Sequence, residues 1–119
     1  MERDEKVNFL AEKVGSLCLR LNSLKELRDQ TYPLLANLLS QTFHDIRIQM
    51  DMILNAYSYK EMLRHTRITH AFVLNAAALY NLFPQELGSV TQIVRSLEEI
   101  SGEFMELEQQ LDKMLGIGI

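Results

Sequence analysis

Little in this sequence forces the chain out of a helix. Its 119 residues hold two prolines and five glycines, and three of those glycines lie near Pro84 or the C-terminal end, so long stretches run without a helix breaker. No alternating strand pattern competes. One cysteine, Cys18, excludes an internal disulfide. The opening "MERDEKVNFL" has no apolar run behind its charges, so a reducing, cytoplasmic setting is expected. The longest apolar stretch, residues 71–83, is broken by Asn75 and Asn81 and falls short of the roughly 20 residues that span a bilayer; it reads as a buried helix. Positive charge is in deficit: twelve Lys and Arg against sixteen Asp and Glu give a net charge of −4. No overall positive field draws the chain to nucleic acid or to an anionic membrane.

Familiar catalytic signatures are also missing. There is no glycine-rich phosphate loop and no G-x-S-x-G elbow. No Glu-x-x-His pair is available for a di-iron bundle. His65 and His70 are five residues apart and point to different sides of a helix, whereas helical metal ligands sit three or four apart. Neither metal nor cofactor is expected. Cys18 lies beside a core position with no histidine nearby in sequence, so it reads as a small buried hydrophobe.

Regular apolar spacing is abundant. Val7, Leu10, Val14, Leu17, Leu21 and Leu24 recur at steps of three and four, which predicts a helix from about Asp4 to Asp29. Pro33 biases Tyr32 away from helical geometry and is welcome in a first turn, so a boundary falls at Thr31 or Tyr32. Ala36, Leu39, Phe43, Ile46, Met50, Ile53 and Tyr57 repeat the pattern in a second helix. The last helix carries the longest seam: Val90, Ile93, Leu97, Ile100, Phe104, Leu107, Leu111 and Met114, flanked by Glu98, Glu99, Glu103, Glu106, Glu108 and Asp112, which read as solvated.

Two readings exist between Pro33 and Phe83. One unbroken helix there would be about 75 Å long. A break near Ser58 is favoured, because "SYKE" has the capping-box form, with the Ser58 hydroxyl accepting from the Glu61 N–H and the Glu61 carboxylate reaching back to the Ser58 N–H. Gly116 supplies a C-terminal stop, after which Ile117 and Ile119 are expected to fold back on Leu111 or Leu115.

These features predict a single all-α domain over residues 1–119, an antiparallel bundle of about four helices with coiled-coil heptad character. Residues 71–83 are apolar on nearly all sides and need cover all round, so a homodimer or hetero-complex is expected.

The chemically richest stretch is "RHTRITH", residues 64–70. On a helix Lys60, Arg64 and Arg67 form one basic stripe, and three like charges so close repel one another unless an acidic surface faces them. Arg64, His65 and His70 also resemble the Arg-polar-x-His signature of HEPN-type ribonucleases, small all-helical domains that commonly dimerise and bring two such motifs together. That resemblance implies that Arg64 binds the scissile phosphate and His70 assists proton transfer, with His65 as the polar second residue. The favoured expectation is an exposed basic turn that pairs with the acidic last helix or with an acidic partner, in a non-catalytic interaction module, an adaptor, assembly subunit or regulatory binding protein. Its partner contacts are expected at Lys60, Arg64, Arg67, Leu97, Phe104 and Leu111.

Overall fold

The computed structural model describes residues 3–22, 32–83 and 90–116. Four helices run through them: α1 Arg3–Asn22, α2 Pro33–Leu54, α3 Tyr59–Tyr80 and α4 Val90–Met114. They stand at the corners of a square. α2 and α4 each pack against both α1 and α3, and the diagonal pairs do not meet. Cross-helix bonds set the directions. Lys6 near the start of α1 meets Glu103 and Glu106 on α4, and Arg20 near its end meets Gln92, so the two run antiparallel. Gln49 with His65 and Tyr32 with Phe83 fix the same relation between α2 and α3. The result is an antiparallel four-helix bundle.

Each helix boundary has a local cause. Asp4 and Glu5 in the first turn of α1 and Arg20 in its last complement the helix dipole. The expected continuation of α1 to Asp29, with Leu24 of its seam, falls outside the described residues. Tyr32 caps α2 without a side-chain bond, and Pro33 fills the first position, where no N–H is needed. The break between α2 and α3 lies where the capping box placed it. Asn55 closes α2, its side-chain amide donating to the Asp51 carbonyl at 2.8 Å. Ser58 takes extended geometry, and its hydroxyl accepts from the Glu61 N–H at 3.1 Å. Only this half of the box forms, because the Glu61 carboxylate turns to Arg64 and His65 instead. Gly116, at φ 72°, ends the chain's last helical turn, a backbone conformation that favours glycine. The fold-back expected of Ile117 and Ile119 lies outside the described residues.

The three-and-four spacings find their cover inside the chain. Val7, Leu10, Val14 and Leu17 of α1, Ala36 to Ile53 of the α2 seam, and Val90 to Leu111 of the α4 seam are all buried. Among the described residues, two seam positions are not. Tyr57 follows the end of α2 and is exposed, and Met114 at the last position of α4 is half exposed. Buried hydroxyls on α2 and α3 are satisfied locally: Thr42, Thr66 and Thr69 each donate to the carbonyl four residues earlier, at 2.9, 2.6 and 2.6 Å. Phe83 seals the end of the core, edge-on to both Tyr80 and Tyr32.

Residues 71–83 depart from the expectation of cover on all sides. Val73, Ala76, Tyr80 and Phe83 are buried, but Ala71, Leu74, Ala78 and Leu82 face outward, with Leu74 52% and Leu82 70% exposed. Two neighbouring helices can cover only two flanks of α3.

Candidate functional site

The outer face of α3 is divided by chemistry. Lys60, Arg64 and Arg67 share it with Ala71, Leu74 and Ala78, each three or four residues from the next, and exposed Leu82 follows in the turn after Tyr80. Because a helix returns to the same face at that spacing, one continuous strip runs from cationic at its start to apolar at its end. All seven residues are exposed.

The basic half is partly neutralised. Arg64 Nη2 donates to Glu61 Oε2 at 3.2 Å. Arg67 Nη2 reaches across to Asp112 Oδ1 on α4 at 3.0 Å. Both pairs keep their guanidinium groups more than half exposed, so each contributes little to stability. Lys60 has no ion-pair partner among the described residues. Between these long side chains lies a groove of about 630 Å³ whose apolar lining comes from Leu63, Ile68 and Leu115.

The two histidines of the stretch reach the neighbouring helices, while His65 keeps its Nε2 3.5 Å from Arg64 Nη2. His65 Nδ1 pairs with Gln49 Oε1 of α2 at 2.8 Å, and its Nε2 lies 3.4 Å from Glu61 Oε2. His70 faces α4, where Nδ1 is 2.8 Å from Glu108 Oε1 and Nε2 is 2.8 Å from Ser101 Oγ. Both ring nitrogens of His70 are thus engaged, one by a carboxylate and one by a hydroxyl. The serine hydroxyl serves Nε2.

Serine, histidine and glutamate in this order have the connectivity of a hydrolase triad. The surroundings do not support that chemistry. Ser101 is buried in the middle of α4, where backbone N–H groups are committed to helical bonds and none is free to hold an oxyanion. The arrangement joins two helices. Nor does the structure bring Arg64 and His70 together: Arg64 stands on the outer face beside Glu61, and both nitrogens of His70 are bonded within the chain. A ribonuclease of the HEPN type would need that imidazole open to substrate.

The remaining candidates are placed as follows. Leu97, Phe104 and Leu111, expected to meet a partner, are at most 1% exposed and form the core between the helices. A regular apolar seam shows that a face is buried without showing which chain buries it, and here the chain's own helices do so. Cys18 is buried, and desolvation pushes its thiol pKa up against the opposing pull of Arg47, so the nucleophilic thiolate is disfavoured. Among the described residues no group of three or more His, Cys, Asp or Glu is arranged to hold a metal ion.

The expected pairing of the basic turn with the acidic last helix is present at Arg67–Asp112 and His70–Glu108, whereas the Lys6 cluster was missed because the rest of the acidic flank of α4 reads as solvated. Glu108 and Asp112 are half-buried, facing His70 and Arg67. Lys6, only 3% exposed, lies against Glu103 and within 2.6 Å of Glu106 Oε2. The available signal was Lys6 itself, a cation immediately beside the seam residue Val7. Glu103 and Glu106, one turn apart on α4, supply its partners.

No protein-family model, no curated protein and no solved structure matches the chain. Among the described residues no helix is long and apolar enough to cross a membrane. The class that the geometry defines is a four-helix bundle, and the function must be argued from its surface.

Proposed function

We propose that this chain is a non-catalytic interaction module that associates with a second copy through the outer face of α3. The observation that carries this reading is the uncovered apolar half of that face. Ala71, Leu74 and Ala78 repeat at helical spacing, with exposed Leu82 in the turn beyond, outside a bundle whose internal seams are already filled. Alanines between leucines let a second helix come close, and the leucines then fill the spaces beside it.

Charge selects the orientation. A parallel pair would set Lys60, Arg64 and Arg67 of one copy against their equivalents. An antiparallel pair about a two-fold axis between Leu74 and Ala78 separates the two Arg64 positions by about 36 Å at 1.5 Å per residue, well beyond the roughly 8–10 Å screening length at physiological salt. The apolar halves then overlap and the cationic halves stay apart. A symmetric contact of this kind closes on itself and leaves no end for further growth.

The test is to replace Leu74 and Leu82 together by Glu and measure sedimentation at several concentrations. Both side chains are exposed, so the variant is expected to fold with unchanged helicity and to lose self-association. Association unchanged in that variant would contradict the assignment of the face. Purified protein that cleaves single-stranded RNA, with the activity lost in His70→Ala, would contradict the non-catalytic reading.

A further inference from the structure

We infer that the cationic half of the same face is a second, separate binding site, and that its ligand is an acidic helical segment of another protein with an apolar side chain that enters the groove between Lys60, Arg64 and Arg67. The inference rests on reading the chain as an interaction module. It goes beyond that reading by naming a second site and the chemistry of what it takes.

Three observations carry it. First, the groove pairs an apolar floor with a cationic rim. Its volume of about 630 Å³ lies within the range of roughly 300–1,000 Å³ typical of ligand sites, enough for a large apolar side chain and its neighbours. Leu63, Ile68 and Leu115 supply the floor, so an apolar group gains by leaving water there.

Second, the rim is positive on a negative protein. Lys60, Arg64 and Arg67 outnumber the two carboxylates that pair with them, Glu61 and Asp112, on a chain of net charge −4. A net negative chain does not attract an acidic segment overall, whereas this rim does, which gives directed encounter and one favoured position.

Third, the existing pairs are of a kind that exchanges. Arg64–Glu61 and Arg67–Asp112 are exposed pairs, individually weak. An incoming carboxylate can share or replace them without uncovering the core. Lys60 adds a cation with no ion-pair partner among the described residues. The outer face is also helical, which suits a helix lying along it with anchors at i, i+3, i+4 and i+7.

The experiment uses the full chain and a fluorescently labelled synthetic helical peptide of about 14 residues, with leucines at i, i+3, i+4 and i+7 and glutamates on the flanking positions. Two control peptides carry lysine in place of glutamate or serine in place of leucine. The expected result is binding of the acidic leucine peptide alone, weakened about tenfold or more in the Arg64→Gln, Arg67→Gln variant and weakened again as salt rises from about 50 to about 300 mM. Ile68→Ser should reduce affinity without changing the salt dependence. Binding that ignores both arginines and salt overturns the inference. So does equal binding of the serine peptide, or tighter binding of a single-stranded RNA oligomer than of the acidic peptide. Molar mass measured on the same samples separates the two proposals. Peptide binding by a protein that stays monomeric upholds the groove while removing self-association. A protein that self-associates yet ignores the peptide removes the groove alone.

Discussion

His70 Nδ1 stands 2.8 Å from Glu108 Oε1, on the opposite helix of the α3–α4 pair. With the Ser101 hydroxyl on its other nitrogen, the imidazole is held at both ends, and the bundle gains a polar fastening beside its apolar seam. Polar groups in so closed a site are costly to leave without partners. The fastening therefore fixes the register of α3 on α4.

Removing His70 strands two partners at once. His70→Ala and Glu108→Ala are each expected to cost about 1–3 kcal/mol in urea unfolding. The double variant should cost less than the sum of the two, with a coupling of about 0.5–3 kcal/mol. Strict additivity would show that the two side chains do not act as a pair.

Lys6 presents the opposite arrangement, a buried cation served by two carboxylates nearer the surface. Replacing both Glu103 and Glu106 by Gln leaves the cation buried without compensation, whereas Lys6→Met leaves carboxylates that water can reach. The double Gln variant should therefore unfold at lower urea than Lys6→Met. The reverse order would contradict the burial of Lys6.

The same contact sets a pH dependence. The Lys6 ammonium, first by its hydrogen bond and then by its charge, holds the Glu106 carboxyl below its ordinary value of 4.5. A depressed carboxyl stabilises the fold above the unfolded value and loses that contribution as pH falls through the folded value. Stability should thus fall below about pH 4.5, and part of that slope should vanish in Lys6→Met. An identical slope in the variant would mean that Lys6 does not act on Glu106.

Two glycines should respond in opposite senses. Gly102 lies exposed within α4, and a Cβ added there meets nothing within 4 Å. Gly102→Ala should stabilise by about 0.5–1 kcal/mol. Gly116→Ala places a side chain at φ 72° and should destabilise by a comparable amount. Thermal melts of the two variants moving in the same direction would contradict the helix boundary.

Leu97→Ala or Phe104→Ala should each cost on the order of 2–5 kcal/mol, the loss expected when a core side chain leaves a cavity. A loss below about 1 kcal/mol would place these side chains outside the core.

Much of the fold was legible because its signals are local. Pro33, the Ser58–Glu61 cap and Gly116 each act within a turn of their own position, and the seams from Val7 to Leu111 follow the helical repeat. What was not legible depends on which residues meet across helices. Leu97, Phe104 and Leu111 have the same spacing whether a neighbouring helix or a second chain covers them. Glu108 and Glu98 are both acids beside the α4 seam. Only the rotation of α4 against α3 turns Glu108 to His70 and leaves Glu98 in water. The basic stripe was legible as a stripe, since Lys60, Arg64 and Arg67 lie on one helix. Its apolar continuation through Leu74 and Leu82 was hidden in a segment apolar on nearly every side, until the packing showed which side stays uncovered.

Self-association is tested most directly by the molar mass of the unaltered protein in solution, followed over a wide range of concentration by sedimentation equilibrium. Pairing through α3 predicts a mass that rises with concentration from 13.8 kDa and levels off at twice that value. It also predicts little change with salt, because the apolar halves meet and the cationic halves are far apart. A mass that stays at 13.8 kDa at every concentration, from a stable and fully soluble protein, would contradict it.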